Sequence, residues 1–175
     1  MVAPSVDNLV ESFENPSIPP INGEPTYATL HAMHELLNLN AASVTTILGC
    51  GTLSPLCLTL SPTVFATPLT TQVAPLLNCG ATPVIPAGVT GPEAVSIRYA
   101  HDAAMLEFNT FNNVDRALCQ QLLGAAEQTF LRVKHKPHRG CSGSITLDLL
   151  THLYETYAVI SNAGWLANNK RFREA

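Results

Sequence analysis

Residues 90–131, TGPEAVSIRYAHDAAMLEFNTFNNVDRALCQQLLGAAEQTFL, decide the fold. Thr90 followed three positions later by Glu93 is a capping-box pair, in which each side chain satisfies the other residue's backbone N–H. Pro92 suits a first helical turn, where no intrahelical N–H is needed. Ile97, Ala100, Ala104, Phe108 and Phe111 then recur at spacings of three and four. That places them on one helical face and predicts that this face meets a core. Asn112 and Asn113 predict a break. Asp115 favours the positive N-terminal end of a next helix, whose face is Leu118, Leu122, Ala125 and Thr129, with Leu123, Ala126 and Phe130 alongside.

Further toward the C-terminus, Pro137, Gly140 and Gly143 predict a turn. Ser144 is placed to cap a helix with Ile145, Leu149, Leu153 and Tyr157 as its buried stripe. Ser161 is placed to cap a last one carrying Trp165, Leu166 and Phe172. In the other direction, a helix begins near Thr26 with Tyr27, Leu30, His34 and Leu37 on one face and Met33 and Leu36 beside it. Asn40 suits the cap of a second short helix, AASVTTIL, that stops at Gly49.

Two segments carry no helical period. Residues 1–25 hold Pro4, Pro16, Pro19, Pro20 and Pro25 and read as a flexible leader. In residues 49–92, the alternation of Leu56, Leu58 and Leu60 fits a short strand, and Ser61–Pro62 fits a helix start equally well. Prolines at 68, 75, 83, 86 and 92 forbid a long regular element there. The predicted architecture is mainly α: a small bundle of amphipathic helices with a long Pro-rich extended loop and a flexible N-terminal leader. The leader is 1–25 and the domain 26–174, divided into N-terminal helices (26–49), the Pro-rich loop region (50–92) and the helical bundle (93–174).

Composition bounds the function. A 175-residue chain that is 46% hydrophobic can bury a real core. Only 13% of residues are charged, about half the usual share, and a surface so poor in charge tends to associate. A net charge of −4 excludes the whole domain as an electrostatic platform for nucleic acid. The N-terminus has neither the basic start nor the apolar stretch of a secretory signal, and no window reaches the ~18 apolar residues of a membrane helix. With five cysteines, an odd number, this predicts a reduced, cytoplasmic protein without a membrane partner.

The candidate reactive groups fall short of chemistry. His31 and His34 share a helical face, but Glu35 falls off it and no His-Glu-x-x-His spacing is present. His135, His138 and Cys141 stand three apart, yet structural zinc takes four ligands, and Pro137 and Gly140 predict a turn. Cys119 lies among Leu118 and Leu122, and Cys57 in an apolar run, so both read as small core residues. Ser142–Gly143–Ser144 lacks the spacing of a nucleophile elbow. No catalytic residue, metal, cofactor or small-molecule substrate is expected. One local feature stands out: Arg132, Lys134, Lys136 and Arg139 are four of the nine Lys and Arg residues, a basic cluster able to meet phosphate or simply to solvate a loop.

The segments PTYATLHAMHELLNLNAASVTTILGCG, LCLTLSPTVF, TPVIPAGVTGPEAVSIRYAHDAAMLEFNTFNNVDRAL, QQLLGAAEQTFL and ITLDLLTHLYETYAVIS, in that order, resemble the capsid-like region of the Gag polyprotein of copia-type LTR retrotransposons. The resemblance runs over roughly residues 26–171. It implies a helical protein without enzymatic activity that associates with itself into a particle shell around the element's RNA. It also implies that Tyr27, Leu118, Leu122, Phe130, Leu149, Leu153 and Tyr157 are core positions. Ser54 and Pro55 depart from the pattern, standing where such relatives commonly carry a His-Gly-His turn, and no Cys/His zinc knuckle follows. The chain therefore reads as a fragment or a degenerate copy. The expected function is structural self-assembly. The alternatives are a non-assembling RNA-associated domain using the 132–139 cluster, or a non-functional relic.

Overall fold

Thr90 and Glu93 start the longest element. In the computed structural model, which describes residues 2–45, 55–61, 80–141 and 143–158, the Thr90 N–H and hydroxyl both donate to Glu93 Oε2, at 3.1 and 2.8 Å. These bonds hold the Glu93 carboxyl below its ordinary pKa. In chain order the helices among the described residues are α1 (Val6–Ser12), α2 (Tyr27–Ser43), α3 (Gly91–Ala125) and α4 (Thr146–Tyr157), with 3-10 turns at Pro55–Leu58 and Gln128–Lys134. The fold is mainly α. No strand occurs among the described residues, whose one isolated bridge joins Lys136 to Gly140. The short strand considered around Leu56 and Leu58 is a 3-10 turn instead. None of the described helices is long and apolar enough to cross a membrane.

The break expected at Asn112–Asn113 does not occur. α3 continues for 35 residues, about 52 Å at 1.5 Å per residue. Asparagine costs a helix less than about 1 kcal/mol, and Asn113 gains a partner by donating from Nδ2 to the Pro4 carbonyl at 2.9 Å. Asp115 accordingly starts no helix of its own. Its Oδ1 accepts the Thr146 N–H at 3.0 Å and its backbone carbonyl accepts the Thr146 hydroxyl at 3.0 Å. It thus caps α4 from a neighbouring helix, in place of the expected cap by Ser144. The α4 N-cap is Ile145, which is 48% exposed and outside the buried stripe.

α2 is one helix and not two. Thr26 and Thr29 form its capping box. Asn40, expected to begin a second helix, lies fully buried within α2. Its side chain closes a pair of 2.8 Å bonds with the backbone N–H and carbonyl of Asn15, and its Nδ2 also donates to Gln121 Oε1 at 2.9 Å. Gln121 Nε2 donates in turn to the carbonyls of Asn15 and Pro16. Residues 46–48 of the expected second helix, most of the Pro-rich loop and the element expected after Ser161 lie outside the described residues.

The leader is packed, which corrects the expectation of a flexible 1–25 segment. Ser5 accepts from the Asn8 N–H to cap α1, and Leu9, Phe13, Ile18 and Ile21 are buried. The Ile21 N–H donates to the Ala125 carbonyl at 2.8 Å, closing the C-terminal end of α3. The prolines here separate anchor points without freeing the chain. The core gathers these residues with Leu30, Met33, Leu37 and Ala41 of α2, the back of α3 and Leu149, Leu150 and Leu153 of α4.

Candidate functional site

The expected core positions divide. Leu118, Leu122, Leu149 and Leu153 are fully buried. Phe130 and Tyr157 are half-buried against the core, their rings edge to face at 5.3 Å. Tyr27 is not a core residue: it is 55% exposed and lies against His31 and Tyr154, because it opens α2 at the rim of the bundle. α3 ends at Ala125, so Phe130 reaches the core from a 3-10 turn, and Thr129 is exposed.

The basic cluster is gathered by a turn. The Lys136 N–H donates to the Gly140 carbonyl and the Gly140 N–H to the Lys136 carbonyl, both at 2.9 Å. Three residues must close that span, and His138 does so at φ 71°, in the left-handed region a non-glycine residue seldom adopts. Arg132, Lys136 and Arg139 are exposed and Lys134 is half-buried. Arg139 also lines a cleft of about 680 Å³, together with Asn112, Arg116 and Gln120 of α3 and Ser144. The sequence located this turn through Pro137 and Gly140, but not the addition of Arg116 to the cluster.

Two of the described thiols, Cys57 and Cys119, are poorly suited to attack. Burial pushes both Cys57 and Cys119 up to about 11, and a thiol so rarely ionised is a weak nucleophile. Cys119 instead points its Sγ toward the Ser144 carbonyl at 3.9 Å. Among the described residues no group of three His, Cys, Asp or Glu side chains converges to hold a metal ion. Glu35, read as off the histidine face, lies 3.6 Å from His31 Nδ1, since residues four apart are neighbours on a helix.

His34 is the polar node that the sequence reading missed. Its Nε2 lies 3.0 Å from the Thr59 carbonyl and its Nδ1 3.3 Å from the Tyr154 hydroxyl. A carbonyl only accepts, so Nε2 carries the hydrogen and Nδ1 accepts from the tyrosine. Burial lowers the His34 pKa, opposed by its bond to Thr59. The available signal was a histidine in register with Leu30 and Leu37.

The second surface is the front half of α3. Every buried residue of α3 lies at Glu107 or beyond. Of the face expected to meet a core, Ala100 is exposed, and Ile97, Ala104, Phe108 and Phe111 are half-buried without joining the core cluster. Val95, Tyr99 and Met105 are 49%, 71% and 37% exposed, and Val84 just before the helix is 89% exposed. Arg98 and Asp102 are exposed between them. The chain matches no protein-family model, no curated protein and no solved structure.

Proposed function

We propose that this chain is a structural, non-enzymatic domain that works by associating with copies of itself, as the capsid-like region of a copia-type Gag would, in a cytoplasmic particle. The observation that carries the reading is the front of α3. A helix about 52 Å long outruns its own core and presents Val95, Tyr99 and Met105 on a stretch that the described residues leave exposed. A low share of charged residues favours the same outcome. Sedimentation of the purified chain across concentration and salt tests it. Concentration-dependent association is the expected result, and a strict monomer at high concentration overturns it.

The turn at Lys136–Gly140 favours a second reading, RNA association. Arg132 and Lys134 lie in the 3-10 turn Gln128–Lys134, Lys136 and Arg139 on the turn that follows it, and Arg116 lines the same cleft as Arg139. Single-stranded RNA binding through such a cluster weakens with a log–log salt slope of about 0.7 per phosphate contact. Changing Lys134, Lys136 and Arg139 together to Ala abolishes most of it. Binding that ignores salt removes this reading.

A further inference from the structure

The exposed face of the front of α3 carries a period of its own. Gly91, Val95, Arg98, Asp102, Met105 and Asn109 are all exposed and follow one another at alternating spacings of four and three. That is the heptad spacing which keeps a single seam turned toward a second helix.

The seam is also symmetric about Ala100. Val95 and Met105 stand five residues to either side, and both are apolar. Arg98 and Asp102 stand two to either side and are opposite in charge. Gly91 and Asn109 stand nine to either side and are small and uncharged. Neither Arg98 nor Asp102 makes an ion pair with another described residue. A face that repeats its apolar positions and reverses its charge about its midpoint complements an antiparallel copy of itself.

Resting on the self-association proposed above, we propose that α3 pairs antiparallel with α3 of a second copy, about a twofold axis at the level of Ala100. Such a contact is isologous, each half supplying what the other lacks. Val95 of one copy packs on Met105 of the other, Arg98 pairs with Asp102 of the other, and each contact occurs twice. Tyr99, at 71% exposure, flanks the axis beside its own counterpart. The charges fix register and direction more than strength. One short helix pair buries less than the ~800 Å² per partner of a stable complex, so the contact is weak alone and gains by repetition in an assembly.

The test is charge inversion read by sedimentation. Arg98→Asp and Asp102→Arg each place like charges across the seam, and each should weaken self-association at least tenfold. The two substitutions also set like charges four apart within one helix. Mixing separates the effects: R98D combined with D102R in equal amounts regains association, because each chain now meets its opposite, whereas an intrahelical defect stays. The double variant R98D/D102R regains it as well. If the unmodified chain associates and the single variants do so equally well, or if the mixture stays dissociated, the seam is overturned while self-assembly stands. A monomeric unmodified chain removes both.

Discussion

The two halves of α3 are one helix held by different forces. From Glu107 onward it buries Val114, Ala117, Leu118, Leu122 and Ala125, with Gln121 bonded into the polar junction between α2 and the leader. Before Glu107 none of its residues is fully buried, and Ile97 and Ala104 are only half-buried. What sustains the front half is local: the Thr90–Glu93 box, the good helix formers Ala94, Ala100, Ala103 and Ala104, and propagation from turns already packed behind it. A helix of that length would be marginal alone in water. The back half builds the domain, and the front half is free to serve something outside it.

The largest effect that can break this contrast comes from cutting one leucine out of the back half. Leu118→Ala leaves a cavity among fully buried neighbours and should cost about 2–5 kcal/mol. Met105→Ala, one helix but a different environment away, should stay within about 0.5 kcal/mol. Urea midpoints of the two variants measure both. Equal losses would mean that the front half is as sealed as the back.

A smaller loss is expected from the polar junction. Gln121→Ala removes an acceptor from the Asn40 amide and the donor that binds the Asn15 and Pro16 carbonyls. Leaving such groups unsatisfied should cost about 1–3 kcal/mol. Hydrogen exchange would show where: amides of residues 6–21 should lose protection first, since Gln121 is one of the ties that hold the leader. Uniform loss across the chain would make the leader part of a single cooperative unit.

The sequence showed what repeats and hid what pairs at long range. Spacings of three and four found Leu118, Leu122, Leu149 and Leu153, and the capping signal found the start of α3. The partner that Asn113 of α3 finds is the carbonyl of Pro4, at the other end of the chain, so no local window contains it. The leader failed for the same reason: Leu9, Phe13, Ile18 and Ile21 have no helical period, and their partners lie on α2 and α3. At the candidate site, Pro137 and Gly140 announced the basic turn. The front of α3 was misread because Ile97, Ala100 and Ala104 have a core-like spacing, and spacing alone does not say whether a core stands opposite.

The smallest effect tests whether the α2–α4 seam is a fixed part of the back-half core or a place where pH enters. His34 holds Thr59 and Tyr154 in its neutral form, and burial depresses its pKa below the ordinary 6.5. In the unfolded chain the ring takes up a proton near pH 6.5, while in the folded chain it resists until lower pH. The unfolded state therefore binds more protons as the medium acidifies, and stability present above pH 6.5 is lost as pH falls through the folded value. His31 and Glu35 face it from α2, and from α4 it meets the Tyr154 hydroxyl, whose pKa burial raises and which stays neutral at these pH values. His34→Gln keeps a side-chain donor for the Thr59 carbonyl and removes the titration. Denaturation midpoints at pH 7.5 and 5.5 should then fall further for the unmodified chain than for the variant. An equal fall would place the acid sensitivity elsewhere and leave His34 a neutral hydrogen-bonding post, as inert to pH as the leucines beside it.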